Sequence, residues 1–356
     1  MKNQLLGIGA LALIISGATN AQVANNSPSH TNSIDGPLLV VTASNTAANR
    51  LLVYDATGVL LKSIPTQGKG GVGGNAGGIA HSYDHLAVVN FGSSNVSVFN
   101  QDPEHSSFKF QQLITSISSP VSVAFGHDHL YILSTTHVES HPIKDNEVSF
   151  SPDGMASLVK ADGSAAQVGV LNDQLIISEK SNAIETVNLN QHGAVSGATT
   201  LVADIPANVN APFGLATRGD SAYVTIAHAD EISLVRKGDV LTVTGSGTQH
   251  APCWVALDGP YLFSANSPSK SISRYVVYGQ NIIQDAAVAT QLTGSPTDID
   301  YNAGLAAVID SNGTLSHVSI FKVDDDGNLT LNGVAQINGT ATNGVAVVQQ
   351  HTENIF

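Results

Sequence analysis

One repeat of about 45 residues runs along most of the chain, and no other feature restricts its fold as strongly. Three markers share this period: a proline ahead of a short apolar run, an aspartate in a turn, and a glycine in a later turn. The prolines, one or two units apart, are Pro120, Pro212, Pro252 and Pro296. Because three separate turn positions keep one period, the chain is predicted to consist of repeated supersecondary units.

Each unit is predicted to form four short strands. The unit that begins at His250 shows the pattern, with apolar residues at period two and turn residues between the runs. Its predicted strands are Cys253–Leu257, Tyr261–Ala265, Ser271–Val276 and Ile282–Ala287. Four-stranded units of this length are typical of β-propeller blades. Beyond the N-terminal segment there is no amphipathic helical stretch of ordinary length, so the predicted fold class is all-β rather than α/β.

The number of units predicts the number of blades. Six complete units begin near residues 74, 119, 163, 210, 250 and 294. Residues 36–70 supply three strands without an inner partner, and Gly344–Gln349 supply an inner strand without the other three. Together they complete a seventh blade and close the ring, which leaves no open sheet edge there. The prediction is a seven-bladed β-propeller over residues 36–350 with a tail at 351–356; six or eight blades stay open because the unit at 119–160 is irregular.

The N-terminus has the pattern of a bacterial secretory signal. Lys2 precedes an apolar run from Leu5 to Ile15, which is too short to span a membrane, and small residues follow up to Ala21. Residues 1–21 are therefore predicted to be a signal peptide cut after Ala21, followed by a flexible leader at 22–35. We expect the mature protein to be periplasmic or secreted, without a membrane span. The single cysteine, Cys253, cannot form a disulfide within the chain, so burial alone has to stabilise the fold.

Charge excludes some classes of partner. The chain carries 14 Lys and Arg against 28 Asp and Glu, a formal net charge of −14, and it has no basic run. Such a chain repels nucleic acid and anionic lipid surfaces. The partners left open are a small-molecule lactone, a glycan or a protein.

In its repeated units the sequence resembles the seven-bladed lactonase family, which groups bacterial 6-phosphogluconolactonase with fungal carboxymuconate cyclase. The resemblance rests on units such as APCWVALDGPYLFSANSPSKSISRY and GGIAHSYDHLAVVNFGSSNVSVF, and on the turn DDDGNL. It covers residues 36–350 and is strongest to the secreted bacterial branch. The family implies a propeller that opens a lactone ring with His, Arg and Glu on one face. Those three residues have no one-to-one match in this chain.

Strand order predicts where a site would lie. In a four-stranded blade, the loop before the first strand and the loop between the second and third strands share one face, called here the upper face. The channel mouth on that face is the default ligand site. The candidates there for general base or general acid are Glu179, Asp310, His250 and His228. The candidates for substrate binding are Asn90, Asn266, Trp254, Phe213 and Asp298.

The small number of arginines restricts the class of substrate. The chain has only Arg50, Arg218, Arg236 and Arg274. Recognition of a phosphate or a tricarboxylate normally uses convergent Arg or Lys, so an uncharged lactone fits better than a sugar-phosphate lactone or a carboxymuconate. No metal site and no cofactor is predicted, because the pair His137 and His141 has metal-ligand spacing only on a helix.

Two hypotheses follow from these observations. The first is an exported lactonase-like hydrolase that opens a small uncharged lactone at the channel mouth without a metal. The alternative is an exported, non-catalytic propeller that binds a protein, a glycan or a small molecule. The two differ in whether Glu179, His228 and His250 meet around one pocket.

Overall fold

A computed structural model describes residues 34–73, 77–202, 211–339 and 342–352. Their strands form seven antiparallel sheets, which are the blades of a seven-bladed β-propeller. The predicted fold class is confirmed. Within the described residues no helix is long and apolar enough to cross a membrane. The predicted signal peptide, residues 1–21, lies outside the described residues.

The strands are numbered along the chain, and the blades are numbered in the same direction. Blade 1 contains β1 (Ile34–Ala43), β2 (Arg50–Asp55), β3 (Leu60–Pro65) and the C-terminal strand introduced last. Blade 2 contains β4 (Ile79–His81), β5 (His85–Asn90), β6 (Asn95–Asp102) and β7 (Ser107–Thr115). Blade 3 contains β8 (Pro120–Gly126), β9 (His129–Ser134), β10 (His137–Lys144), β11 (Glu147–Val148) and β12 (Gly154–Ser157).

Blade 4 contains β13 (Ala165–Val170), β14 (Gln174–Glu179), β15 (Ala183–Leu189) and β16 (Val195–Leu201). Blade 5 contains β17 (Pro212–Arg218), β18 (Ser221–Ile226), β19 (Glu231–Arg236) and β20 (Asp239–Gly245). Blade 6 contains β21 (Pro252–Asp258), β22 (Tyr261–Asn266), β23 (Ser271–Tyr278) and β24 (Asn281–Gln291). Blade 7 contains β25 (Ser295–Asn302), β26 (Leu305–Ser311), β27 (Leu315–Val323) and β28 (Leu329–Asn338), and β29 (Asn343–Thr352) returns to blade 1. Single 3₁₀ turns occupy Phe91–Ser93, Pro103–His105 and Ala227–Ala229.

The ring is closed by strands from both ends of the chain, as predicted. The C-terminal strand β29 is the innermost strand of blade 1 and pairs antiparallel with β1, with Val41 opposite Ala346. Burial explains why this pairing is specific, since Val40, Val41 and Val347 are fully buried. A one-residue slip would turn each side chain to the opposite face and into the packing of the other neighbouring blade.

Blade 3 is irregular, as its sequence indicated. Its outer position is shared by two short strands, because β10 pairs with β12 through residues 137–140 and with β11 through Ile143 and Lys144. The segment between them carries the exposed Phe150. The blade count is unaffected, since β8, β9 and β10 keep the usual order.

The core lies between neighbouring blades rather than inside one sheet. Alternate residues of β1 face opposite neighbours: Leu39 and Val41 pack in a cluster with blade 2, whereas Val40 packs in a cluster with blade 7. Both faces of β1 are thus covered by a neighbouring blade. This packing explains why the inner strands are predominantly apolar instead of alternating with polar residues.

Candidate functional site

The inner strands of the seven blades enclose a central channel with a cavity of about 340 Å³. This volume is at the lower end of the ~300–1,000 Å³ of small-molecule sites. The polar part of its lining consists of His81, Gln167, Thr217, Asp298, Asp300 and Tyr301. No lysine or arginine is among the described residues that line it. Most of the lining residues lie in the middle of the inner strands and toward their C-terminal ends, whereas the upper face is at their N-terminal ends. The cavity therefore lies deeper in the channel than the upper mouth predicted from the sequence.

Two aspartates of β25 supply the carboxyl groups of the channel. Asp298 is buried, its Oδ1 accepts a hydrogen bond from the backbone N–H of Ile299 at 2.9 Å, and its Oδ2 accepts from that of Val345 at 3.2 Å. Burial raises the pKa of Asp298 to about 8, although its backbone hydrogen bonds oppose the shift. At neutral pH this carboxyl therefore holds its proton.

Asp300 lies two residues further along the same face of β25. Its Oδ2 accepts a hydrogen bond from the backbone N–H of Val347 at 2.8 Å. Burial raises the pKa of Asp300, and the nearby His81 imidazole lowers it in part. The channel thus brings a second carboxyl close enough to an imidazole for their charges to interact.

The same aspartates connect blade 7 to the closing strand. Val345 and Val347 belong to β29, whose inner edge faces the channel. Asn302, on the same face of β25, donates to the carbonyl of Val347 at 3.0 Å. Because a free strand edge carries unpaired N–H and C=O groups, these side chains satisfy groups that the sheet leaves open. Asp298 and Asp300 consequently have a structural role besides any chemistry.

Asn90 and Asn266, predicted to bind substrate, lie at equivalent positions at the ends of β5 and β22, and both are fully buried. Asn90 accepts from Thr66 Oγ1 at 2.7 Å and donates to Ser97 Oγ at 2.7 Å. Asn266 donates to Ser273 Oγ at 2.8 Å. We call this arrangement at the end of a blade's second strand the polar latch. In blade 2 it fastens the loop from the preceding blade, to which Thr66 belongs.

Glu179 and Asp310, predicted as general bases, occupy the latch position of blades 4 and 7 and are also fully buried. Asp310 Oδ1 accepts from His317 Nδ1 at 3.0 Å, which gives this latch an ionisable pair in place of two amides. Glu179 Oε2 accepts from Ser164 Oγ at 3.0 Å. Glu179 Oε1 has no hydrogen-bond partner within the described residues when Glu179 and the nearby Glu185 are both ionised.

Glu185 explains the orphaned oxygen of Glu179. Its own carboxylate accepts hydrogen bonds from the backbone N–H groups of Val159 and Lys160 at 2.9 and 2.8 Å. Burial, and then the charge of Glu185, raise the pKa of Glu179 to about 8. The proton that Glu179 holds at neutral pH can be donated to Glu185, so the two form a carboxyl–carboxylate pair. In this state Glu179 suits the role of an acid better than that of a base.

The predicted histidines lie on the surface of the upper face. His228 is exposed in the 3₁₀ turn Ala227–Ala229. His250 is exposed in the loop before β21, and its Nδ1 lies 2.9 Å from Asp230 Oδ2. No hydrogen bond within the described residues joins His228 or His250 to Glu179, so the three predicted residues do not form a hydrogen-bonded set there.

The predicted aromatic residues do come together. Phe213 of β17 and Trp254 of β21 pack edge to face with ring centroids 5.4 Å apart. The Lys180 ammonium lies 5.7 Å from the Phe213 centroid, within cation–π range. The buried Trp254 Nε1 has no hydrogen-bond partner within the described residues. Beside Trp254, burial raises the pKa of the Cys253 thiol to about 12, which makes the thiolate scarce at neutral pH.

For a metal ion, the described residues bring three ligating groups together at one place, Asp102, Glu104 and His105. The Asp102 carboxylate already binds the Lys109 ammonium at 3.1 Å and His105 Nδ1 at 3.0 Å. The earlier candidate His141 bonds Glu139 at 3.3 Å on strand β10, not on a helix.

His81 and Asp300 were missed by the sequence reasoning. A signal for Asp300 exists in the inner-strand segment TDIDYN, where polar residues alternate within a strand that should be covered on both faces. His81 similarly ends the inner strand GGIAH. Only the ring geometry shows that the two strands flank the same channel.

No protein-family model matches this chain, and no curated protein matches it in sequence. Solved structures do match. A putative 6-phosphogluconolactonase from Bacteroides fragilis is 16% identical, with a TM-score of 0.59 over 90% of this chain and 100% of its own. The periplasmic gluconolactonase of Pseudomonas aeruginosa is 14% identical, with a TM-score of 0.63 over 88% of this chain and 99% of its own.

A WD40 propeller, that of Doa1, also matches at 14% identity, with a TM-score of 0.57 over 83% of this chain and 95% of its own. The resemblance to the seven-bladed lactonases is thus confirmed for the fold. A propeller with a different name matches almost as well. Sequence identities this low therefore show a shared fold and do not show a shared function.

Proposed function

We propose that this protein is an exported, lactonase-like hydrolase that binds a small uncharged lactone in the central channel and opens its ring with water. The observation that carries the proposal is the lining of the channel, where Asp298, Asp300 and His81 surround a cavity of about 340 Å³. The similar propellers named as a putative 6-phosphogluconolactonase and a periplasmic gluconolactonase support the reaction class.

The three channel groups can divide the proton transfers of ring opening. The carboxylate form of Asp300, which the charge of His81 favours against the effect of burial, takes the proton of a water molecule as its oxygen attacks the lactone carbonyl carbon. The bond between that carbon and the ring oxygen then breaks, and the ring oxygen receives the proton that Asp298 holds at neutral pH. The proton on Asp300 returns to Asp298, and the product is a hydroxy acid.

Charge in the channel favours a neutral substrate and the release of its product. The lining contains the carboxyl groups of Asp298 and Asp300 and no described lysine or arginine, so a phosphorylated lactone would find no counter-charge there other than His81. Hydrolysis converts a neutral ring into a carboxylate, which the acidic channel and the chain's net charge of −14 repel. Binding should accordingly be weaker for the product than for the substrate.

The test is a lactone panel with one variant in the channel. Wild type should accelerate hydrolysis of glucono-1,5-lactone over buffer, and Asp300→Asn should reduce kcat at least tenfold, because asparagine keeps a hydrogen-bond acceptor for Val347 but cannot take a proton. Asp324→Asn on an exposed turn is the matched control and should retain full activity. Equal activity of Asp300→Asn and wild type would refute the channel as the site.

The residues predicted at the mouth form the second arm of this test. Glu179→Gln and His250→Ala should leave kcat within twofold of wild type if the channel holds the reaction. If these variants abolish turnover while Asp300→Asn retains it, the reaction belongs to the mouth.

A non-catalytic binding module is the second candidate. It is favoured by the partners of the predicted residues, since within the described residues no hydrogen bond joins Glu179 to His228 or His250. In that case no lactone of the panel is turned over above buffer, and a glycan array or a pull-down from periplasmic extract yields a reproducible ligand.

The exported location is a separate part of the proposal. It rests on residues 1–21, and mass spectrometry of the protein from the periplasm or medium should find a mature chain that begins at Gln22. A full-length chain in the cytoplasm would contradict it.

A further inference from the structure

A cleft of about 460 Å³ lies between blades 6 and 7, outside the central channel. Its walls come from the end of β24 and from β27 and β28. The apolar side contains Leu292, Phe321, Leu331 and Val334, and hydroxyl and amide side chains supply most of the rest. No acidic or basic residue other than His317 is among the described residues that line it.

His317 enters this cleft from the latch of blade 7. Its Nδ1 lies 3.0 Å from Asp310 Oδ1, and the Asp310 side chain is fully buried behind it. A carboxylate only accepts hydrogen bonds, so a neutral His317 ring that bonds Asp310 carries its proton on Nδ1 and has Nε2 as an acceptor. His317 lines the cleft, and with Nδ1 turned toward Asp310 its Nε2 is the ring nitrogen left for a ligand there. No hydrogen bond within the described residues engages this atom.

The packing behind the pair holds it in position. Asp310 also accepts from Thr293 Oγ1 at 3.3 Å and from Ser319 Oγ at 3.4 Å. Gly294 leaves room for it, since a Cβ there would lie 2.5 Å from Asp310 Oδ1. The imidazole therefore has one orientation before any ligand arrives, which lowers the entropy cost of binding.

The other latches show that the fold does not require this pair. At the positions equivalent to Asp310 and His317, blade 2 has Asn90 and Asn95, joined by a hydrogen bond of 2.9 Å. A neutral amide pair is thus sufficient to fasten a blade. Burying an aspartate costs more free energy than burying an amide. The structural role of the latch in blade 7 therefore does not explain why it contains the pair Asp310 and His317.

We propose that the cleft between blades 6 and 7 is a carbohydrate-binding site in which His317, positioned by Asp310, accepts a hydrogen bond from a hydroxyl of a neutral sugar. The apolar wall at Leu292 and Phe321 suits the carbon face of a sugar ring, and Ser319 and Gln336 supply further hydrogen-bonding groups. The absence of cations from the described lining disfavours an anionic ligand. The inference does not depend on the lactonase proposal.

His317→Asn is the sharpest variant for a test. The asparagine amide can donate to Asp310 in the place of Nδ1, which keeps the latch closed as an Asp–Asn pair, but it offers no group in the place of Nε2. The variant should therefore fold and unfold like wild type. Asn95→Ala disturbs the equivalent latch far from the cleft and serves as the matched control.

The experiment titrates each protein with maltotriose, cellotriose and chitotriose by calorimetry and follows histidine side-chain NMR signals. We expect one trisaccharide to bind wild type and Asn95→Ala with the same Kd, to shift the Nε2 signal of His317, and to bind His317→Asn at least tenfold more weakly. Absence of binding by all three sugars, or equal binding by His317→Asn, would overturn the proposal. If the proteins turn over a lactone but bind no sugar, only this inference fails.

Discussion

The carboxyl pair Glu179–Glu185 makes the stability of this protein depend on pH in a predictable direction. Burial and the charge of Glu185 raise the pKa of Glu179 to about 8 in the folded chain, against an ordinary value of 4.5. Above the latter value the unfolded chain loses this proton while the folded chain keeps it, so the unfolded state binds fewer protons. Between about pH 4.5 and 8 this group therefore lowers the free energy of unfolding by up to about 1.4 kcal/mol per pH unit.

Glu179→Gln should remove this dependence. Glutamine cannot ionise, and its amide can donate a hydrogen bond to Glu185 as the protonated carboxyl does. The variant should resemble wild type near pH 4.5 and be more stable by about 3 kcal/mol at pH 7. The groups that face Glu179 are Glu185 and Asp162, both of which raise its pKa, and the hydroxyl of Ser164, which lowers it.

Urea unfolding at pH 5, 6, 7 and 8 measures the effect, and fluorescence of the single tryptophan, the buried Trp254, reports the transition. Asp298, whose pKa is also about 8, contributes equally to both proteins and cancels in the difference. Glu147→Gln, at an exposed site on β11, is the control and should leave the pH slope unchanged. A stability difference that is constant from pH 5 to pH 8 would refute the assigned proton.

Three further predictions concern packing and reactivity. Val347→Ala shortens a fully buried side chain of the closing strand between blades 7 and 1. Urea unfolding should show that it lowers the free energy of unfolding by about 1–3 kcal/mol. Val59→Ala, at an exposed site, should change that free energy by less than about 0.5 kcal/mol. Gly294→Ala should lower the melting temperature because its Cβ would lie 2.5 Å from Asp310 Oδ1, while Gly73→Ala, with open space around it, should not. Cys253, buried with a pKa of about 12, should resist iodoacetamide at pH 8 until urea unfolds the chain; rapid labelling of the folded protein would contradict its burial.

The sequence predicted the architecture well because a propeller repeats its turns. Proline and glycine markers define where each blade begins and where its last hairpin turns, and these depend on local backbone conformation. Closure by β29 was predictable from the same repeat. The first unit lacks its inner strand and the last unit consists of an inner strand alone, so the two together make one complete blade. The division of the outer strand of blade 3 could be anticipated only as an irregularity.

The site was harder to predict, because a side chain's direction depends on neighbours far away in sequence. Asn90 and Asn266 end their strands at the upper face, as predicted, but they turn inward to hydrogen-bond neighbouring strands and, for Asn90, the loop of the preceding blade. Phe213 and Trp254 meet because β17 and β21 are neighbouring inner strands, which the order of the blades did predict. Asp300 acquires its role from Val347 and His81, which no local pattern connects to it.

The most direct test of the lactonase account is a crystal structure with the lactam analogue of gluconolactone, which is neutral and resists hydrolysis. The account predicts density for one ring in the central channel, with its carbonyl carbon facing Asp300 and its ring nitrogen, in the place of the lactone ring oxygen, near Asp298. Density at the upper mouth beside Glu179 or His250, or an empty channel at a saturating concentration of the analogue, would contradict it.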